Sequence, residues 1–376
     1  MEKLCILVRY SEIHKKKGKT RSRLIQTLRQ RIQDRLNYEE LAYEKVSESP
    51  GRIVIKGVEP EAINYISEVI GVKSASICNS VEPDNDKVEQ SLSMDFSGSF
   101  GVRVKSRDQN ISATEWERKI GAYIQDKTGA EVDLDNPDRW FRIEIDESEA
   151  FIFNDKDTYE GPGGMPVASQ GKYLALISGG IDSPVAAYRV MKRGSDIIPV
   201  YFYNRPYALE DHLMRFEAVI KELKKFHPSK KWRYGVIDMK EINSELNKVE
   251  KGRMVLHRRL MFRVSKKIIE EKSLQGIVSG ESIGQKSSQT PQNLFRTSFD
   301  LPVFRPLLTE DKNDIREEAE KIGTFQYSKI DSSCPDMAPD SPSTRLSAER
   351  LQELEQEIDF EKLVDKAFSQ LEFREI

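Results

Sequence analysis

YLALISGGIDSPVAAYRVMKRG, residues 173–194, opens with a short apolar run and then breaks at Ser178-Gly179-Gly180. An apolar run of this length ended by glycines reads as a buried parallel strand. Ser183 as N-cap and Pro184 at the first helical position predict a helix directly behind it. Ala186, Ala187, Val190 and Met191 make its apolar face, and Lys192, Arg193 and Gly194 end it. Strand, glycine loop and helix start form an anion cradle, because backbone N–H groups converge where no Cβ keeps a phosphate away.

The loop lacks the lysine of GxxxxGK[ST], which disfavours a Walker-type triphosphate hydrolase. SGGIDS instead resembles the pyrophosphate loop of ATP-pyrophosphatases, which adenylate a carbonyl oxygen and release pyrophosphate. On that resemblance Asp182 helps to hold magnesium, and Ser178 and Ser183 offer hydroxyls to phosphate oxygens.

Outward from this loop, 376 residues leave room for two or three domains. With 38% hydrophobic and 32% charged residues the chain fits a soluble globular protein. No apolar run reaches the length of a membrane span, and MEKLCILVRY is too short in its apolar core for a signal peptide, so a cytoplasmic protein without a membrane partner is expected. Cys5, Cys78 and Cys334 lie far apart, which argues against a zinc ribbon or a disulfide framework. His14, His212, His227 and His257 have no metal-ligand spacing, and no protein-held metal centre is expected. Residues 1–82 hold 15 Lys/Arg against 11 Asp/Glu, a basic front end that hints at a phosphate-rich partner.

Along the chain, strand-like 4–9, a helix at 22–36, strand-like 41–46 and 52–56, a helix at 60–70 and strand-like 73–80 give βαββαβ, the ferredoxin-like order. HKKKGKTRSR, residues 14–23, gathers cations before the first helix; it is either a solvated face or a phosphate contact. In 83–165, FGVRVKSRD alternates as a half-buried strand with Arg103, Lys105 and Arg107 on one face, which is either an exposed sheet surface or an RNA platform. A helix at 114–127 and a hairpin at 140–154 follow. Beyond a Gly/Pro-rich linker, strands and helices alternate as in a doubly wound parallel sheet, with a helical acidic tail at 347–375. Two polar stretches stand out in this part. SGESIGQKSSQTPQN, residues 279–293, follows a strand and offers Gly280, Gly284, Gln285 and Gln289 to a nucleotide. DSSCPDMAPDSPSTR, residues 331–345, places Cys334 in an accessible loop.

With these residues in hand, the chain resembles the tRNA 4-thiouridine sulfurtransferase family over nearly its full length. LVRYSEIHKKKGKTR is similar to the family's ferredoxin-like opening, with Ser11 where a glycine is usual. FGVRVKSRD, the VDLDNPD to IEID run and GPGGMPV look like its RNA-binding THUMP domain. LISGGIDSPVAAY, RRLMFR, SGESIGQKSSQT, RPLLTEDK and KIGTFQYS look like its PP-loop domain. The resemblance implies an α/β multidomain protein: ferredoxin-like at 1–82, a small α/β THUMP domain at 83–165, and a doubly wound PP-loop domain at 166–376. It implies ATP against Leu176, Ile177, Tyr201, Phe202, Arg258, Gly280 and Gln289, with phosphates at Ser178, Gly179, Gly180, Asp182 and Ser183, and magnesium. It implies tRNA on Lys15, Lys16, Lys17, Lys19, Arg21, Arg103, Lys105 and Arg107. Cys334 matches the cysteine that carries sulfur as a persulfide.

The expected activity is adenylation of uridine 8 of tRNA and replacement of O4 by sulfur. No rhodanese domain is seen, so sulfur is expected from a cysteine desulfurase persulfide or free sulfide. Met254 and His257 stand where some members carry a CxxC, so no iron–sulfur cluster is expected. Cys5 and Cys78 read as buried packing residues. A homodimer is left open. The alternatives are another adenylating ATP-pyrophosphatase acting on RNA or a small molecule, or a non-catalytic tRNA-binding protein.

Overall fold

The strand expected at 4–9 runs Lys3–Tyr10 (β1) and lies inside an eight-stranded sheet. The structure is a computed structural model that describes residues 3–227, 231–286, 289–298, 301–329 and 343–376. It divides into two units, Met1–Pro166 and Val167–Ile376, each built on its own sheet.

In the first unit β1 leads to α1 (Gly18–Tyr38), β2 (Lys45–Ser49), β3 (Arg52–Lys56), α2 (Ile63–Ser67) and β4 (Val72–Val81). Then come α3 (Asn85–Gln90), β5 (Phe100–Ser106), α4 (Ala113–Thr128), β6 (Arg139–Ile145), β7 (Ala150–Asn154) and β8 (Thr158–Glu160). Three elements differ from expectation; the helix expected at 60–70 is a 3-10 turn at Pro60–Ala62 followed by the short α2. Helix α1 starts at Gly18 rather than near Ser22, because Gly18 takes φ +53°, which glycine adopts without steric cost, directly after an extended Lys17. Leu41 and Tyr43 are not in a strand; they pack, partly buried, against the helix-covered core.

Strand β4 is the seam of this unit. One edge pairs with β1 along its length; the other pairs with β8 at 74–76 and with β7 at 79–81. The ferredoxin-like half and the second α/β half therefore share one sheet, in the order β2-β3-β1-β4-β7-β6-β5. On one face Leu24, Leu28 and Ile32 of α1 pack on Ile6, Val8, Ile53 and Ile55, while Ile120 and Ile124 of α4 pack on Phe100, Val102 and Phe141. The other face carries Cys5, Leu7, Val54, Cys78, Phe151 and Phe153, so both thiols are buried packing groups as expected. There Glu144 of β6 pairs with Arg9 of β1 and Arg52 of β3, each at 2.8 Å. In a flat sheet β6 and β3 would stand four spacings apart, roughly 19 Å, beyond the reach of one ion pair. The sheet therefore curls towards this face, and Arg52 ends up 2% exposed.

The second unit contains β9 (Lys172–Leu176), α5 (Asp182–Lys192), β10 (Asp196–Tyr203), α6 (Glu210–Leu223), β11 (Arg233–Asp238), α7 (Lys240–Leu246) and α8 (Arg253–Lys272). After these come β12 (Ile277–Val278), α9 (Pro291–Thr297), β13 (Val303–Phe304), α10 (Lys312–Lys321), α11 (Phe325–Ser328), α12 (Ala348–Glu357), α13 (Phe360–Ser369) and β14 (Leu371–Glu375). The order β13-β12-β9-β10-β11-β14 is parallel through its first five strands. The last strand corrects the all-helical reading of the tail: residues 371–375 pair antiparallel with β11. LEFRE alternates over only five residues, and the helical pattern before it hides so short a period. Among the described residues no helix is long and apolar enough to cross a membrane.

Candidate functional site

Strands β10 and β11 follow β9 on one side, and β12 then returns to its other side. The strand order reverses between β9 and β12, and ligands bind such sheets outside the carboxyl ends of the strands at a reversal. The two stretches singled out in the sequence, SGGIDS at 178–183 and the run beginning at Ser279, leave from this point.

The first loop folds on its own hydroxyls. Ser178 N–H donates to Ser183 Oγ at 2.8 Å, the two hydroxyls lie 3.0 Å apart, and Gly180 N–H donates to Ser178 Oγ at 3.2 Å. Helix α5 begins at Asp182 with Ile181 as N-cap, so Ser183 is not the cap and Pro184 is the third helical residue. Proline is tolerated there because the first-turn N–H groups have no intrahelical partner. Gly280, just beyond β12, closes onto this helix start: a Cβ on it would lie 2.7 Å from Ser183 N and Cα.

Between the loops is a cavity of about 210 Å³. Of the residues expected at a nucleotide, Leu176, Ile177, Ser178, Asp182, Ser183, Tyr201, Phe202, Arg258, Gly280 and Gln289 line it. Gly179 and Gly180 belong to the same loop outside that lining, and Gly179 is backed by Arg215. A larger groove of about 720 Å³ borders Tyr203, Arg205 and Arg374 but takes in no residue of either loop. Two of its charges, Asp238 and Glu217, are paired with Arg205 and Arg374; the smaller cavity is marked by the two loops that open onto it.

Burial pushes the Asp182 carboxyl above the usual carboxylate range, while Lys312 and Lys286 act in the opposite sense. Asp182 Oδ1 and Gln289 Oε1 are buried without a hydrogen-bond partner among the described residues. Buried acceptors left in this state are costly, which suits a site completed by a ligand with donors or a cation. An oxygen-seeking magnesium ion fits the Asp182 carboxylate, with further ligands from phosphate and water; no cluster of three ligating side chains occurs among the described residues. His257 lines the cavity with its Nε2 3.0 Å from Asn204 Oδ1. Burial pulls its pKa down to about 4, with Arg258 adding to the shift, so it is neutral at pH 7.

Lys286, Lys312, Glu281, Asn204 and His257 were not singled out from the sequence for this site. Lys286 and Lys312 stood within the recognised runs SGESIGQKSSQT and RPLLTEDK, but only the sheet topology brings them to Asp182. Cys334 lies outside the described residues.

In the first unit Lys15, Lys16, Lys17 and Lys19 are exposed and Arg21 is half-buried around the start of α1. That first turn holds no acidic residue, so cations crowd the positive end of the helix dipole. Arg103 and Lys105 are exposed on the face of β5 away from α4; Arg107 lies just past the strand, its guanidinium against Gly51. Trp140, not singled out from the sequence, lies 5.0 Å from the Arg103 guanidinium.

Comparison with known proteins matches each part of the chain to a family model. Residues 5–76 match the ThiI ferredoxin-like domain, 84–155 the THUMP domain, and 168–360 the family model described as thiamine biosynthesis protein (ThiI). A probable tRNA sulfurtransferase of Clostridium botulinum is 35% identical, over 99% of both chains. One from Halobacterium salinarum is 34% identical, over 95% of this chain and 94% of its own. The crystal structure of a 4-thiouridine synthetase–RNA complex with bound ATP superposes with a TM-score of 0.89 at 31% identity, covering all of both chains. A Pyrococcus horikoshii protein shares the fold at 24% identity, with a TM-score of 0.67 over 85% of this chain and 99% of its own. With its phosphate-type loop, the cation cluster before its first helix and full-length relatives of this kind, the chain belongs to the ThiI family of tRNA sulfurtransferases.

Proposed function

We propose that the chain is a tRNA sulfurtransferase that adenylates a uridine of tRNA, uridine 8, with ATP and replaces its O4 by sulfur to give 4-thiouridine. The observation that carries this reading is the cavity at the β9/β12 reversal, where a hydroxyl-braced glycine loop, a helix start and two unpartnered acceptors meet. Adenine and ribose lie against Leu176, Ile177, Tyr201, Phe202 and Arg258, and Gln289 Oε1 is available to a donor such as the adenine amine. The phosphates lie on the loop, with Lys286 and Lys312 beside them. Asp182 holds magnesium, which when bound offsets charge on the departing pyrophosphate. We assign 1–82 and 83–165 to tRNA binding and 166–376 to the chemistry, in a cytoplasmic protein. Family-model matches within each of these segments support that assignment.

O4 of the uracil attacks the α-phosphorus, the bond to the β-phosphate breaks, and the N3 proton is lost. A carbonyl oxygen is a very poor leaving group, and as AMP it becomes a good one. The terminal sulfur of a persulfide on Cys334 then attacks C4 and AMP departs. The product sulfur stays joined to Cys334 until an electron pair from a thiol reductant cuts the S–S bond. Cys5 and Cys78 are buried in the first unit, so an external thiol does this, unless free sulfide attacks C4 directly. Adenylation needs no thiol. Cys334→Ser is therefore expected to consume ATP and form adenylated tRNA while making no 4-thiouridine, read by mass analysis of nucleosides. Normal thiolation by that variant, with both a desulfurase and sulfide as donor, would remove Cys334 from the mechanism. Pyrophosphate release stimulated by small molecules but not by tRNA would point to a different adenylating enzyme.

A further inference from the structure

The loop after β12 carries three of the groups that meet at the cavity, Gly280, Lys286 and Gln289, yet it has only the two-residue strand Ile277–Val278 behind it. Part of what holds it is backbone: Ser279 N–H donates to Phe304 O at 3.0 Å and Ile283 N–H to Leu308 O at 3.1 Å. The other tie is Glu281, between those two bonds. Its carboxylate is 2% exposed, with one oxygen on the Arg258 guanidinium of α8 and the other 2.7 Å from Arg305 Nε, just past β13. Arg305 in turn donates to Ser298 Oγ at 2.7 Å. A carboxylate this buried persists only when its charge is answered. Here the answer comes from two guanidiniums on two different elements, one of which lines the cavity.

Resting on the nucleotide reading above, we infer that Glu281 is a positioning residue for ATP: it fixes Arg258 in the cavity wall and, through Gly280, presses the loop onto the start of α5. It touches no phosphate in this role. With Glu281 in place, Arg258 has one orientation and the two guanidiniums do not repel each other. Without it Arg258 is free to turn to solvent, Arg305 remains anchored on Ser298, and Gly280 and Gln289 lose a tether on their loop. Arg305 is the outer arm of the clamp and does not line the cavity, so losing it loosens the fold and leaves Arg258 paired with Glu281.

The test measures binding of a non-hydrolysable ATP analogue by titration calorimetry to full-length protein, with thermal unfolding recorded alongside. Glu281→Gln is expected to weaken binding at least tenfold. Arg305→Gln should lower the unfolding temperature while changing the affinity less than threefold. The deciding comparison is a double-mutant cycle: in an Arg258→Ala background, Glu281→Gln should weaken binding by no more than a further threefold, because its effect runs mainly through Arg258. If Glu281→Gln does not fold, Glu281→Gln/Arg305→Gln, which removes the surplus positive charge with the carboxylate, takes its place with the same expectation. Wild-type affinity in the folded variant, or full additivity with Arg258→Ala, overturns the inference. Wild-type protein that binds no nucleotide overturns the ATP reading itself.

Discussion

In the first unit a half-buried carboxylate is answered within the chain: Glu144 sits between Arg9 and Arg52, and the sheet curls over the group. Around the cavity of the second unit, Asp182 Oδ1 and Gln289 Oε1 are withdrawn from water, and no described residue hydrogen-bonds either of them. The contrast separates two kinds of polar burial. The first completes a fold, and the cations proposed above to meet tRNA stand outside it, at Lys15 to Lys19 and along β5. The second leaves a fold to be completed by what it binds, so its working groups are the buried ones. Damage to the cavity should therefore remove chemistry, and damage to the basic surface should remove only capture of the RNA.

The largest effect is expected at Asp182. Asp182→Ala should lower tRNA-dependent pyrophosphate release by about 10³-fold, the scale of losing a key electrostatic contact at the reacting phosphates, with tRNA affinity unchanged within about threefold. Near-normal release would show that the unpartnered oxygen is incidental. The next effect is on stability. His257, buried in the cavity wall, has its pKa held down to about 4, against an ordinary 6.5 once unfolded. Between those values the unfolded chain binds more protons than the folded one. Stability from this group is complete above about pH 6.5 and falls as pH drops towards 4, by about 3 kcal/mol. Hydrogen exchange at pH 7, 5.5 and 4.5 should show the second unit loosening first, since His14, the first unit's one histidine, is exposed. His257→Gln should flatten that trend, and equal loosening of both units would break the contrast. The smallest effect is on capture: Lys16, Lys17, Lys19 and Arg21 replaced together by Ala should weaken tRNA binding about tenfold. The slope of log K against log salt should fall by about three, with ATP affinity untouched. An unchanged slope would return the cluster to a solvated face.

Much of this was legible in the sequence because its signals are local. The apolar run of β1, the alternation of β5 and the glycine break after Leu176 are each set within a dozen residues. What stayed hidden depends on distant partners. Ser183 looked like an N-cap because the sequence does not show that Ser178 N–H would claim its hydroxyl. Lys286 and Lys312 are separated from Asp182 by more than a hundred residues and meet it only through the strand reversal. The five residues of β14 are too few to outweigh the helix before them, and it is the waiting edge of β11 that makes them a strand.

The seam at β4 has a consequence for how RNA is measured. One continuous strand belongs to both halves of the first unit, so the lysine loop before α1 and the cation-bearing face of β5 cannot swing independently. Their spacing is set by the count of strands between them and by the curl that brings Glu144 to Arg52. If both clusters carry tRNA as proposed above, a slack single strand gains little from so fixed a spacing, whereas a folded RNA of matching girth meets both at once.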